Sequence, residues 1–110
     1  MLYLVTMETV ELGPLPPQQI AQLAEQLVIP SMEALAKLQV EKRILAGGTF
    51  AGTRSGVAII EAASNEELGR LLKGLPIWGL MKIDVTPLHS FEEEAAQARE
   101  LVKNLKAAPQ

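Results

Sequence analysis

A carboxylate and a cation on one face of a strand can line a ligand pocket. In this 110-residue chain the best-placed pair is Asp84 with Lys82, two residues apart in Met81-Lys82-Ile83-Asp84-Val85-Thr86. A strand puts residues at that spacing on one face. Thr6 and Glu8 repeat the pattern near the amino end, so Thr6, Glu8, Lys82 and Asp84 form one candidate polar set. Thr6, Trp78 and Arg54 are the candidate substrate contacts. The same polar set also suits a solvated sheet face or an interface between two sheets. Glu33 alone reads as a solvated helical charge, and Glu61 as a surface residue or turn anchor.

Other chemistries lack their residues. There is no cysteine, which removes disulfides, thiolate metal ligands and thiol nucleophiles. His89 is the single histidine and cannot form a His-rich metal site. A net charge of −3 and no basic cluster beyond Lys42-Arg43 argue against a nucleic-acid surface. No apolar run approaches the roughly 20 residues of a membrane span. The opening MLYLVTMETV lacks a basic flank and meets Glu8 and Glu11, so it reads as a strand, not a signal peptide. The expectation is a soluble, cytoplasmic protein of one domain.

The elements that would position these residues follow from periodicity. Met81, Ile83 and Val85 alternate with polar neighbours, as in a strand with one dry face. Pro76 and Gly79 bracket Ile77 and Trp78, placing the tryptophan in a bend before that strand. Leu2 to Val10 is a first strand with Tyr3, Val5 and Met7 on one side. Gly13 to Pro17 is a stiff loop opening a helix from about Pro17 to Arg43, which Pro30 should kink near Ile29. Ile44 to Phe50 and Gly56 to Ala62 are two strands joined at Gly52 to Gly56. Inside the first of them Gly47-Gly48 marks either a bulge, the favoured expectation, or a close backbone approach. Ser64 with Glu67, and Ser90 with Glu93, are capping boxes. The first opens a helix ending at Gly74; the second opens a tail helix with Phe91, Ala95, Ala98, Val102 and Leu105 on one face. That thin apolar face calls for a partner surface, such as a neighbouring subunit.

The order strand, helix, strand, strand, helix, strand is the split βαβ, ferredoxin-like arrangement of an α+β protein. It predicts an antiparallel sheet in spatial order 4-1-3-2 with both core helices on one face. Residues 1–88 form that domain, and residues 89–110 a helical extension. A homodimer or larger homo-oligomer is expected, because so short a chain has little spare core.

On these residues the chain resembles the muconolactone delta-isomerase family, a branch of the dimeric α/β barrel proteins. The resemblance is carried by MLYLVTM, by Ala51-Gly52, by Ser64, Leu68 and Leu72, and above all by LPIWGLMKIDVTPL from Leu75 to Leu88. It implies a proton shift within an unsaturated lactone carboxylate, with no cofactor and no metal. It also implies carboxylates where Glu33, Glu61 and Asp84 stand, with Asp84 the candidate proton-handling group, Lys82 its charge partner and Glu33 a further catalytic acid. The chain departs from the family at the second strand, where Ile44 to Thr49 replace an expected tryptophan, arginine and histidine. Lys82 and Arg54 are left to hold a carboxylate. Three functions stay open: such an isomerase, with a concave pocket that sets a carboxylate near a cation; another small-molecule enzyme of this fold, oxygenase-like or dehydratase-like, with an apolar pocket; and a non-catalytic binding or assembly module.

Overall fold

The computed structural model describes residues 1–109. Four strands form one antiparallel sheet: β1 (Leu2–Thr9), β2 (Ile44–Thr49), β3 (Ser55–Glu61) and β4 (Met81–Leu88). Their spatial order is β2-β3-β1-β4, the expected order read from the other edge. β1 is central, with Val5 opposite Ala58 on one side and Val85 on the other. Tyr3, Val5, Met7, Ala58 and Ile60 point to one face and are buried. Leu68 and Leu72 of α3 (Asn65–Lys73) pack on that face, together with half-buried Leu27, Val28, Leu35 and Leu38 from the long helical segment. The helices therefore cover the apolar side. The other side carries Thr6 opposite Asp84 and Glu8 opposite Lys82.

The long helix is three pieces: α1 (Pro17–Leu23), a π-helical turn from Ala24 to Val28, and α2 (Ile29–Val40). Pro30 is the physical reason. It has no N–H to donate, and its ring crowds the carbonyl one turn back. The chain responds by widening the preceding turn, so that the Ile29 N–H bonds to the Ala24 carbonyl five residues earlier. The expected kink is thus an added-residue turn. Just after it, Ser31 is fully buried, and its hydroxyl accepts the Ile77 N–H at 3.0 Å. This bond fastens α2 to the bend before β4.

α2 stops in a Schellman arrangement. The Arg43 N–H reaches the Leu38 carbonyl and the Lys42 N–H the Gln39 carbonyl, with Lys42 in the left-handed region at φ 63°. Both serine caps form: Ser64 Oγ accepts from the Glu67 N–H at 3.1 Å, and Ser90 Oγ from the Glu93 N–H at 3.0 Å. The reciprocal arm of the first box is shifted, since Glu67 accepts from the Ala63 N–H and pairs with Arg43 at 2.5 Å. Trp78 lies in a short 3-10 turn, Trp78–Leu80, that leads into β4.

The extension is α4 (Phe91–Ala107), and none of its residues is buried. Gln110, the last residue of the expected extension, lies outside the described residues. α4 stretches the molecule to 69 × 31 × 25 Å and a radius of gyration of 19.1 Å. A compact chain of this length would measure about 13 Å. Among the described residues no helix is long and apolar enough to cross a membrane.

Candidate functional site

The helical segment does not lie flat on the sheet. Between them is a cavity of about 650 Å³, within the range that holds small ligands. Its floor is Met7, Thr9, Gly56 and Ala58 of the central strands. Its roof is Ile20, Leu23, Ala24, Val28, Met32 and Leu35. Leu12 and Leu15 of the first loop, with Ile77, Leu80 and Met81, close one end. The π-helical turn supplies Ala24 and Val28, so the widening forced by Pro30 shapes this roof.

The fourth wall explains the hollow. β2 brings Gly47, opposite Ala58 on the inner face with no side chain to fill the space, and then Thr49 and Phe50. The two glycines differ in kind. Gly47 has φ +152°, and a Cβ there would fall 2.4 Å from the Val57 carbonyl oxygen, so the close approach of β2 to β3 demands glycine. Gly48 pairs with Val57 on the outer face of the sheet, where a Cβ would meet nothing within 4 Å. The strand irregularity lies earlier, between Ile44 and Ala46, and Gly47 and Gly48 pair regularly with Ala58 and Val57. The favoured bulge is therefore not at the glycines; the close backbone approach is, at Gly47.

Polarity in the cavity is sparse. Thr9, Gln39, Thr49, Thr53 and Ser55 offer hydroxyl or amide groups. Arg54, on the β2–β3 hairpin, is the one charged residue among the lining residues. It takes part in no ion pair among the described residues, so its guanidinium is available to an anion. A planar guanidinium matches a carboxylate with two parallel hydrogen bonds. A dry wall with one cation suits a small, largely apolar acid.

The structure separates the sequence candidates. Arg54 lines the cavity. Lys82, Asp84 and Thr6 share the opposite face of the sheet and are exposed there, with the backbone of the sheet between them and the cavity. Glu33 is exposed on α2, whose cavity-lining residues are Met32, Leu35, Ala36 and Gln39. Trp78 borders a separate hollow of about 300 Å³ with Leu72, Ile83 and Val85. His89 pairs with Glu94 at 2.8 Å, and Glu61 with the Met1 amino group at 2.9 Å. The pocket in which a carboxylate stands near a cation is thus corrected: the cation is present, and no carboxylate lines the cavity. The described residues hold no cluster of three or more metal-ligating side chains.

Sequence reading missed Phe50, Gln39 and Thr9 as lining residues and Ser31 as the buried anchor. Gly47 was the available signal, since an absent side chain beneath an apolar helix leaves a space.

A fold with this cavity and this strand order has known relatives. The model of the muconolactone delta-isomerase family matches residues 1–94. The chain belongs to this family. Among curated proteins none matches. The crystal structure of muconolactone isomerase, at 3.3 Å resolution, superposes with a TM-score of 0.67 at 26% identity, over 82% of this chain and 90% of that one. A 5-chloro-2-hydroxyhydroquinone dehydrochlorinase from Burkholderia phenoliruptrix AC1100, solved with 2,5-dihydroxybenzoquinone, superposes with a TM-score of 0.61. It is 18% identical over 84% of this chain and 98% of that one, and shares the fold. The family match ends at residue 94, within α4, so most of that helix lies beyond it.

Proposed function

We propose that the protein is a cofactor-independent small-molecule enzyme of the muconolactone-isomerase type, acting on a small unsaturated acid seated between α1–α2 and the sheet. The observation that carries this is Arg54, the one charged residue lining a mostly apolar cavity of ligand size. Its role is to bind the carboxylate and to steady the negative charge that grows on a conjugated carbonyl as a proton leaves carbon. The glycines of β2 favour a ring compound with more hydrocarbon and less charge than a substrate gripped by several polar groups.

One observation favours a second reading. No carboxylate or imidazole lines the cavity, so the chain sets no strong base beside a ligand there. That suits another small-molecule reaction on this fold, oxygenase-like or dehydratase-like, in which substrate or water accepts the proton. Asp84 and Lys82 would handle protons only in a site built between two sheets, as in a homodimer joined through its outer faces.

A thermal-shift screen tests the assignment with small lactones, aromatic acids and their uncharged methyl esters. A ligand that binds only the folded state raises its apparent stability. Acids should raise the melting temperature, their esters should do so less, and Arg54→Met should erase the difference. Acids that protect wild type and Arg54→Met equally would refute the role of Arg54. Incubation with muconolactone then separates the readings: an ultraviolet change lost in Arg54→Met supports the isomerase, while tight binding of acids without turnover supports the second.

A further inference from the structure

Independently of the cavity, α4 is a 17-residue helix that buries none of its residues. Most helical stability in proteins comes from packing an amphipathic face against something. Phe91 is 95% exposed, and Leu101, Val102 and Leu105 are exposed as well. Such a face calls for an occupant, and its sequence specifies which.

Phe91, Ala95, Ala98, Val102 and Leu105 follow one another at spacings of four, three, four and three. That is the seam of a two-stranded coiled coil. Glu92, Arg99 and Lys106 fall seven apart along one flank of the seam. Charge is divided along the helix: Glu92, Glu93 and Glu94 fill the first turn, and Lys103 and Lys106 lie near the end. We infer that α4 pairs antiparallel with α4 of a second copy of this chain.

An antiparallel pair centred near Glu100 sets Ala95 against the other copy's Leu105 and Ala98 against its Val102. Small then meets large in each of these layers, which is how a seam fills without voids, while Phe91 stands beyond the paired stretch. Glu92 meets the other copy's Lys106 at both ends, and opposite charges on the flanks fix orientation. Arg99 beside the two-fold axis is the one like-charge contact. A parallel pair fails on both counts. It would stack alanine on alanine in two successive layers and bring two acidic first turns side by side. The two-fold pairing is isologous and closes, so it gives a dimer contact and not a filament.

Zero-length coupling of carboxylates to amines on the intact wild-type protein, read by peptide mass spectrometry, tests this. Glu92 and Lys106 are fourteen residues apart on one straight helix, about 21 Å. A Glu92–Lys106 cross-link can therefore arise only between two copies. That product is expected, and Glu92→Lys should abolish the antiparallel contact and weaken self-association at least tenfold by light scattering. Glu92→Lys combined with Lys106→Glu should restore association, because the charges are exchanged and still complementary. A chain that stays monomeric at tens of micromolar would overturn the pairing. So would an oligomer without the Glu92–Lys106 product, including one that couples Lys106 to Glu66 of α3 and so lays the helix on the other copy's body.

Discussion

Replacing Ser31 with alanine isolates the bond between the roof and the sheet. Ser31 is fully buried, and its Oγ accepts the N–H of Ile77, itself 5% exposed, at 3.0 Å. Alanine keeps the backbone and helix propensity but leaves the Ile77 N–H without a partner in a dry place. An orphaned buried donor costs about 1–3 kcal/mol. The small void left by the hydroxyl adds little, so a loss of about 2 kcal/mol is expected. For a chain of this size that lowers the melting temperature by roughly 8 °C. Urea unfolding at one fixed protein concentration measures it, and the slope should stay unchanged because the surface exposed on unfolding is the same. Ile77 and the α2 residues Met32 and Leu35 line the cavity together, so affinity for an acidic ligand should fall with stability. A loss below about 0.5 kcal/mol would refute the view that this hydroxyl fastens α2 to the β4 bend.

Three further outcomes follow from the backbone. Lys42→Gly should stabilise by about 1 kcal/mol in the same urea experiment, since Lys42 holds a left-handed conformation that a Cβ disfavours. Gly47→Ala should destabilise by more than 2 kcal/mol, or prevent folding, because its Cβ would sit 2.4 Å from the Val57 carbonyl oxygen in a conformation that suits glycine. Gly48→Leu should leave stability within about 1 kcal/mol and any ligand-induced thermal shift unchanged, because open space surrounds that position and its pairing with Val57 turns it to the outer face of the sheet.

Much of the frame was legible because it rests on local patterns. The alternation at Met81, Ile83 and Val85, the two serine caps and the element order led to the four-stranded sheet in its observed order. Pro30 announced a disturbance, but whether a helix bends or inserts a wider turn depends on what it packs against. The site was less legible for a related reason. Alternation tells which residues share a face of a strand, so Thr6, Glu8, Lys82 and Asp84 were grouped together. It does not tell which face looks into a cavity. That space is bounded by the side chain missing at Gly47 and by the π-helical turn at Ala24 to Val28, far apart in the chain. Arg54 lines it through the hairpin, which no periodicity reports.

The roof itself is thinly rooted. Neither α1 nor the π-helical turn buries a single residue, and α2 buries only Ser31, whereas α3 buries Leu68 and Leu72. Segments with few buried contacts open at lower free energy than the rest of a fold. Amide hydrogens from Gln18 to Val28 should therefore trade with deuterated solvent well before those of β1 and β3. A molecule bound beneath them should slow that trade, so the same measurement reports occupancy of the cavity.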